Sequence, residues 1–206
     1  MTEKPNRETE HYFAELPKSE DKLGMVHTRL RGEPFKFLTS SSVFSKKQVD
    51  AGTRLLIEAM QLPDDGGVLD LGCGYGAVGI VAAAVNPRLH VVMTDVNMRA
   101  VQLARRNVKI NKVRNAKVRH GYLYEPLNDS VFKCILSNPP VSAGMEIVLA
   151  IIQGAPTFLS CDGTLQMVVR SKIGRKTLPN AFTEAFGNCS VLARKSGYRV
   201  LTAKKQ

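Results

Sequence analysis

Val68-Leu69-Asp70-Leu71-Gly72-Cys73-Gly74-Tyr75-Gly76 joins a short apolar run to a turn with three alternating glycines. Residues 68–71 are typical of a buried parallel strand, and the small apolar residues 77–84 predict a helix that packs on a sheet. The glycines therefore fall at a strand-to-helix turn. There a ligand can approach the backbone closely, and the free amides of the helix N-terminus offer donors to it. The stretch predicts a cofactor-binding turn.

Two aspartates indicate which cofactor this turn binds. The glycine spacing also fits the GxGxxG turn of dinucleotide-binding proteins, so the glycines alone leave the cofactor open. Asp70 stands two residues before the first glycine, where a carboxylate can face a cationic amino group but would repel a pyrophosphate. Asp95 follows a second strand-like run, at the position of an acid that accepts hydrogen bonds from both ribose hydroxyls. Together they favour S-adenosylmethionine over a nicotinamide dinucleotide, and over the alternative that both are solvated turn acids.

A second motif, Ser137-Asn138-Pro139-Pro140, follows the apolar run 131–136. Consecutive prolines cannot continue a central strand, so the chain leaves the sheet in a rigid, extended turn. The Asn138 side-chain oxygen and the Pro139 carbonyl could each accept one N–H of a conjugated exocyclic amine and aim its lone pair at a methyl donor. The alternative is a plain structural turn.

Further motifs are spread over nearly the whole chain: His11-Tyr12-Phe13, Pro17-Lys18-Ser19-Glu20, Phe35-Lys36-Phe37, Val43-Phe44-Ser45, Val49-Asp50, Gly52-Thr53-Arg54-Leu55-Leu56, Leu123-Tyr124-Glu125 and Gly197-Tyr198-Arg199-Val200-Leu201. With the glycine turn, Asp95 and the Asn-Pro-Pro motif, they make the chain similar to class I S-adenosylmethionine-dependent methyltransferases of the small-domain type. Within that family it resembles the guanine-N2 methyltransferases of 16S ribosomal RNA and their single-domain archaeal relatives.

The resemblance implies a set of site residues. Asn138, Pro139 and Pro140 are the expected catalytic residues. S-adenosylmethionine is the expected cofactor, and the residues implied to bind it are Asp70, Gly72, Cys73, Gly74, Gly76, Asp95, Val96, Tyr122, Leu123 and Asn138.

The chain departs from the family pattern at two positions that bear on recognition. Tyr122 replaces an aspartate that usually holds the adenine amino group, which leaves adenine to backbone groups or to the tyrosine ring. Val141 stands where many amino-methyltransferases have an aromatic residue that stacks on the target ring. Tyr198, Phe44 or Phe13 could supply that face, although the sequence favours an ordinary packing role for each of them.

Composition bounds the class of protein. The 206 residues are 44% hydrophobic and 23% charged, as expected for one enzyme domain with a sizeable core. We expect an N-terminal extension with a hairpin over residues 1–44 and the methyltransferase domain over 45–206. The polar start and the absence of a long apolar stretch predict a cytoplasmic protein without a membrane span. The four cysteines form no CxxC pair and the histidines show no ligand spacing, so no metal site is expected.

The net charge of +11 predicts a polyanionic partner, and RNA is favoured over a neutral metabolite. One basic segment, residues 105–119, lies on a predicted helix and the next strand, and a solvated face is the favoured explanation for it. A second basic group follows a predicted strand at the cofactor edge of the sheet, where it could contact phosphates beside the target base. The expected substrate-binding residues are Phe44, Arg170, Lys172, Arg175 and Tyr198, with Lys176 extending the basic group. A homodimer is a possible way to enlarge the RNA-binding surface.

The order of predicted elements indicates a doubly wound, Rossmann-like α/β fold with seven strands and an antiparallel last strand. Residues 25–30 and 34–39 predict a hairpin, and Ser45 to Gln48 has capping-box spacing before a helix that runs to about Met60. Strand and helix patterns then alternate from Val68, with a strand over 164–169, a helix over 177–186 and a closing hairpin over 190–203. Residues 1–24 are polar and predict partial helix.

We therefore expect an S-adenosylmethionine-dependent N-methyltransferase that acts on an exocyclic base nitrogen in RNA, with guanine N2 of ribosomal RNA favoured. Transfer RNA, adenine N6 and a protein glutamine amide remain open, because Asn-Pro-Pro motifs serve all of these planar amines. From other classes, a catalytically inactive RNA-binding module and a small-molecule methyltransferase remain open.

Overall fold

The computed structural model describes residues 23–40, 48–128, 130–139 and 144–206. The elements in chain order are β1 (Leu23–Leu30), β2 (Glu33–Ser40), α1 (Ala51–Ala59), β3 (Gly66–Leu71), α2 (Ala77–Val85), β4 (Leu89–Asp95), α3 (Met98–Ile110), β5 (Ala116–His120), a 3-10 turn (Glu125–Leu127), β6 (Phe132–Ser137), α4 (Met145–Phe158), β7 (Leu159–Arg170), α5 (Thr177–Phe186), β8 (Ser190–Lys195) and β9 (Tyr198–Lys204). None of the described helices is long and apolar enough to cross a membrane.

The main sheet has seven strands in the order β5-β4-β3-β6-β7-β9-β8. The strands from β5 to β7 in this order are parallel, and β9 pairs antiparallel with both β7 and β8. This arrangement confirms the predicted doubly wound fold and its antiparallel last strand. Since the carboxyl ends of the parallel strands meet at one edge, the turns that follow β3, β4, β5, β6 and β7 share that edge.

Two clusters of buried apolar residues hold the sheet and its helices together. One joins α1, α2 and α3 to the sheet and includes the hairpin side chains Val26, Leu30, Phe35 and Phe37. The other packs α4 and α5 on the sheet. The burial of both faces explains why β3, β4 and β6 are apolar almost throughout.

The β1–β2 hairpin confirms the predicted turn at Arg31-Gly32. Leu30 pairs with Glu33, and both turn residues have positive φ, 47° for Arg31 and 83° for Gly32. Two such residues give the backbone twist that a two-residue hairpin needs. The two strands form a separate two-stranded sheet.

Asparagines of α3 tie this hairpin to the main body. The buried Asn107 accepts the Leu38 amide at 2.7 Å and donates to the carbonyls of Leu38 and Tyr75 at 2.9 and 2.8 Å. One turn later, Asn111 accepts the Lys36 amide at 3.1 Å and donates to the Lys36 carbonyl at 2.8 Å. The backbone groups of Lys36 and Leu38 on β2 thus hydrogen-bond to the side chains of Asn111, the C-cap residue of α3, and Asn107. These bonds satisfy the backbone groups at the free edge of the strand.

Two predicted boundaries were wrong. Helix α1 does not begin at the Ser45 capping box, because Asp50 is its N-cap and accepts the amides of Gly52 and Thr53, both at 3.0 Å. Strand β7 begins at Leu159, five residues before the predicted start at Thr164. The predicted partial helix over residues 1–24 overlaps β1 at Leu23 and Gly24, where the chain is a strand, and its other residues lie outside the described part of the chain. The domain boundary at residue 44 and the predicted site residues Phe44 and Pro140 also lie outside the described residues.

Asn107→Ala should destabilise the protein by roughly 2–4 kcal/mol, because it leaves the buried backbone groups of Leu38 and Tyr75 without partners. Urea unfolding followed by circular dichroism measures the change. Asn180→Ala is the control, since Asn180 is exposed on α5, and it should change stability by less than about 0.5 kcal/mol. Equal effects of the two substitutions would show that Asn107 is not a structural anchor.

Candidate active site

Asp70 lies at the end of β3 and is 1% exposed. Its Oδ2 accepts the amide of Gly79, in α2, at 2.8 Å. Burial raises the pKa of Asp70 to about 7 and the nearby charge of Asp95 adds to the shift, whereas the Gly79 hydrogen bond opposes it. A bound cation would favour the ionised form, so this carboxylate suits an ammonium group.

The glycine turn that follows is held open by its backbone. The amides of Gly72 and Cys73 both donate to the Thr94 carbonyl at 2.9 Å. Gly72 and Gly74 have φ of 74° and 56°, and a Cβ at either would have no heavy atom within 4 Å. Gly76, with φ of 89°, is the N-cap residue of α2. The turn therefore presents bare backbone to the cleft beside Asp70, as the sequence predicts.

Asp95 at the end of β4 is the second buried acid, 6% exposed. Its Oδ2 accepts the Gly74 amide at 2.8 Å, and its Oδ1 accepts the Asn97 amide at 2.8 Å. Burial raises the pKa of Asp95, although these two hydrogen bonds and the nearby His120 oppose the shift. A carboxylate has about four acceptor positions, so two backbone bonds leave room for a diol.

The turn after β5 lies next to Asp95. The Gly121 amide donates to the Asp95 carbonyl at 3.1 Å, and His120 Nε2 lies 2.8 Å from the Val96 carbonyl oxygen. Tyr122 is 39% exposed in this turn, and Leu123 follows it with φ of 44°. The structure thus brings the four predicted residues Asp95, Val96, Tyr122 and Leu123 to one corner of the cleft. A contact of Tyr122 with adenine stays a prediction.

Asn138 stands at the end of β6 and is fixed by a contact that the sequence did not predict. Its Nδ2 donates to Thr53 Oγ1 at 2.8 Å, across 85 positions of sequence. Thr53 is 7% exposed in the first turn of α1. Because the amide nitrogen is engaged there, the side-chain oxygen of Asn138 is left as an acceptor. Only the tertiary structure reveals that Thr53 contacts Asn138.

Asn138 lines two small cavities. One, of about 30 Å³, is lined on the cofactor side by Thr53, Asp70, Gly72, Cys73, Gly74, Tyr75, Ala77, Val78 and Asn138. The other, of about 50 Å³, is lined by Asn138, Pro139, Gly144, Met145, Val148, Val168, Val169, Arg170, Ile173, Leu178 and Tyr198. The shared residue, Asn138, therefore lies between the two cavities.

Tyr198 and Arg170 form the outer wall of the second cavity. They are paired across β7 and β9, and the Arg170 guanidinium carbon lies 5.8 Å from the centroid of the Tyr198 ring. A Cβ on Gly52 would approach that ring to 2.9 Å, so the ring packs on the start of α1. Lys172 and Arg175 are exposed in the next turn at the same edge but do not line the cavity.

A larger cavity, of about 730 Å³, lies away from this chemistry. It is lined by the β1–β2 hairpin and by the C-terminal ends of α2 and α3, including Phe35, Val85 and Ile110. Those helix ends lie at the edge of the sheet opposite the glycine turn. The volume of this cavity therefore does not make it the cofactor site.

Comparisons with known proteins agree with this geometry. The methyltransferase small domain family matches residues 34–202, and the chain belongs to this family. YbxB of Bacillus subtilis (strain 168) is 38% identical over 96% of this chain and 99% of its own length. Ribosomal RNA small subunit methyltransferase C of Yersinia pestis (strain Pestoides F) is 30% identical over 93% of this chain, which spans 60% of that relative.

Solved structures give the same result. The T. thermophilus 16S rRNA N2 G1207 methyltransferase (RsmC), solved in complex with AdoMet and guanosine, matches with a TM-score of 0.81 and 26% identity. The match covers 93% of this chain and 52% of that one. Precorrin-6y C5,15-methyltransferase from Geobacter metallireducens shares the fold, with a TM-score of 0.65 and 22% identity.

This protein is an S-adenosylmethionine-dependent methyltransferase. The cleft fits that cofactor on its own chemistry: it offers the buried carboxylates of Asp70 and Asp95 and a turn in which Gly72 and Gly74 expose bare backbone. Asp70 suits the ammonium end and Asp95 the ribose, while the backbone of residues 72–76 leaves space between them.

Asp70→Asn should abolish S-adenosylmethionine binding but stabilise the cofactor-free protein at pH 8, by on the order of 2–4 kcal/mol. The pKa of Asp70 rises from 3.8 to about 7 on folding. The free energy of unfolding of the parent therefore falls as the pH rises from about 3.8 to about 7, and it stays lower above pH 7. Asparagine does not titrate, and the advantage of the variant should shrink as the pH falls from 8 to 5.

Urea unfolding at both pH values and calorimetric titration with the cofactor provide the measurements. Asp64→Asn is the matched control, since Asp64 is exposed in the turn before β3, and it should leave stability and binding unchanged. A variant at position 70 that binds the cofactor as the parent does would remove Asp70 from the site.

Proposed function

We propose that this protein transfers the methyl group of S-adenosylmethionine to an exocyclic amino nitrogen of a base in RNA, with guanine N2 of ribosomal RNA as the target. The observation that carries the proposal is the position of Asn138. It is anchored by Thr53 and lines both the cofactor cavity and the second cavity. We call the second cavity the acceptor cavity.

Asn138 contributes by orienting the acceptor amine. S-adenosylmethionine supplies an electrophilic methyl group, while the amine of a nucleobase is a poor nucleophile because its lone pair is spread into the ring. The side-chain oxygen of Asn138 and the Pro139 carbonyl accept the two N–H bonds and direct the lone pair towards the cofactor side. Thr53 keeps the side-chain amide from rotating. A preorganised pair of acceptors lowers the barrier without a strong base.

Tyr198 supplies a ring face for the acceptor base. Its ring lies in the wall of the acceptor cavity, with its Cδ1–Cε1 edge against Gly52 and the Arg170 guanidinium carbon 5.8 Å from the ring centroid. Aromatic stacking fixes the plane of a base and is tolerant of its identity. Specificity for guanine then requires contacts to its Watson–Crick edge.

The basic edge supports RNA as the larger substrate. Arg170, Lys172 and Arg175 are exposed in and after the end of β7, beside the acceptor cavity. Cations at this position can neutralise phosphates that flank the target base. The net charge of +11 adds a field that attracts a polyanion to the whole surface. The names of the Yersinia and T. thermophilus relatives point to the same class of substrate.

The decisive experiment offers methyl-labelled S-adenosylmethionine with naked ribosomal RNA, ribosomal subunits, transfer RNA, DNA and a protein extract. Digestion to nucleosides and mass spectrometry then identify the product. N2-methylguanosine in ribosomal RNA or in a subunit is the expected result. N6-methyladenosine, label in transfer RNA alone, or methylglutamine would replace this substrate with one of the other planar amines.

Asn138→Ala should reduce methyl transfer at least about a hundredfold with little change in cofactor affinity, because it removes a preorganised contact at the reacting centre. Thr53→Val, which removes only the hydroxyl that accepts from Asn138, should reduce kcat by roughly tenfold, and Thr53→Ser should retain most activity. Single-turnover transfer and cofactor titration separate the two quantities.

The double variant provides the control on this coupling. If Thr53 acts through Asn138, the Thr53→Val change should have almost no further effect in the Asn138→Ala background. Additive losses would indicate that Thr53 contributes independently. Normal turnover of Asn138→Ala would leave the Asn-Pro-Pro motif a structural turn only.

A further inference from the structure

A buried arginine lies behind the acceptor cavity. Arg199, the second residue of β9, is 7% exposed. Its Nη2 donates to the carbonyls of Gly174 and Ile173 at 2.9 and 3.3 Å, and its Nη1 reaches the Arg175 carbonyl at 3.5 Å. One guanidinium thus holds three successive carbonyls of the segment between β7 and α5. We call this segment, residues 171–176, the acceptor loop.

The burial of this arginine is costly. Among the residues that the structure describes, no carboxylate forms an ion pair with it, and its Nε is buried without a hydrogen-bond partner. Burial, and then the positive charge of Arg194, lower the pKa of Arg199. A neutral apolar residue on this strand would avoid the desolvation cost. An apolar residue could not supply the planar set of N–H donors, or fork, of the guanidinium.

The acceptor loop has a defined shape that these bonds support. Gly174 has φ of 53°, and a Cβ on it would meet Leu178 Cγ at 2.5 Å, so the loop packs tightly on α5. The Ser171 amide donates to the Gly197 carbonyl at 2.8 Å, which fixes the other end against the β8–β9 turn. Within the loop, Ile173 lines the acceptor cavity, while Lys172 and Arg175 are exposed.

We propose that Arg199 is a positioning residue for the RNA acceptor. It holds the acceptor loop so that Ile173 forms a wall of the acceptor cavity while Lys172 and Arg175 face the phosphates beside the target base. This inference rests on the proposed function. It adds that the acceptor loop connects the recognition of the target base to the recognition of the RNA phosphates. Arg199 itself touches neither the cofactor cavity nor the reacting atoms.

The electrostatics of this corner agree with an anionic partner. Arg170, Arg175 and Arg194 surround the same end of the sheet as Arg199. Like charges repel one another when no anion is present, and phosphates relieve that repulsion when they bind. The buried guanidinium therefore contributes in two separable ways, through its charge and through its hydrogen-bonding fork.

Two substitutions separate the fork from the charge. Arg199→Gln removes both, whereas Arg199→Lys keeps the charge but offers no planar fork. The matched control is Arg194→Gln, which removes the same charge from an exposed residue paired with Arg199 on the neighbouring strand. Methyl transfer to RNA gives KM and kcat, calorimetry gives cofactor affinity, and hydrogen exchange reports the Ile173 and Leu178 amides, which donate within or beside the loop at 3.0 and 3.1 Å.

For Arg199→Gln we expect KM for RNA to rise about tenfold or more, with kcat and cofactor affinity within about threefold of the parent. The two loop amides should exchange faster. Arg199→Lys should recover the salt dependence of RNA binding but only part of the KM, and its loop amides should still exchange faster than those of the parent. Arg194→Gln should reduce the salt dependence of RNA binding by no more than the slope of about one phosphate contact. It should leave hydrogen exchange of the two loop amides unchanged.

Full recovery of KM by Arg199→Lys would overturn the positioning role and leave a charge effect only. The same conclusion follows if Arg199→Gln behaves as Arg194→Gln does. If Arg199→Gln fails to fold, the Arg199→Lys comparison decides, because it keeps the charge. A parent protein that methylates no RNA would overturn the proposed function itself, whereas normal RNA methylation with unaffected Arg199 variants would overturn only this inference.

Discussion

The buried carboxylate of Asp70 is the constraint on which the rest of the site depends. It lies between β3 and α2 and accepts the Gly79 amide at 2.8 Å. Position 79 has no room for a side chain, because a Cβ would meet Met93 Cγ at 2.5 Å and Asp70 Oδ2 at 3.0 Å. Helix α2 can therefore pack closely on β3 and β4. That close packing brings the glycine turn over both acids. Burial makes the ionised form of Asp70 costly when no ligand is bound, and it also strengthens the attraction of this carboxylate for a cation.

The elements around this centre are connected by a few polar side chains that bind across long stretches of sequence. Asn107 joins the hairpin to the glycine turn, and Asn138 joins the end of β6 to α1. Each is an amide that meets a specific partner, so each bond fixes an orientation as well as a contact. The apolar clusters hold the layers together, but these bonds set the relative positions of the cofactor cavity, the catalytic motif and the hairpin.

The acceptor side is built differently from the cofactor side. The cofactor side combines the bare backbone of the glycine turn with the buried carboxylates of Asp70 and Asp95, which suits a ligand with a cationic end and a sugar. The acceptor cavity is lined mostly by apolar residues, together with Asn138, Tyr198 and Arg170, and further basic residues are exposed in the next turn, which suits a flat base attached to phosphates. Asn138 lines both cavities, and under the proposed function that shared position is where the two ligands meet.

The sequence by itself determined the doubly wound fold, the glycine turn and the identities of Asp70, Asp95 and Asn138. These signals are local, because strand, turn and helix patterns appear within a few residues of one another. The sequence also placed the basic group after β7 at the correct edge, since the carboxyl ends of parallel strands share an edge. The start of α1 was predicted wrongly because the capping-box spacing at Ser45 to Gln48 is only a local pattern, and the structure shows that the side chain of Asp50 accepts the first amides of the helix.

Only the tertiary structure decided how distant residues meet. Thr53 and Asn138 are 85 positions apart, and Arg199 reaches carbonyls 24 to 26 positions before it. The hydrophobic periodicity of the sequence does not predict such contacts, because each depends on where a whole helix or strand packs. The sequence therefore specified the candidate site residues, and the packing of α1 and β9 against the sheet specified which side chains contact them and the acceptor loop.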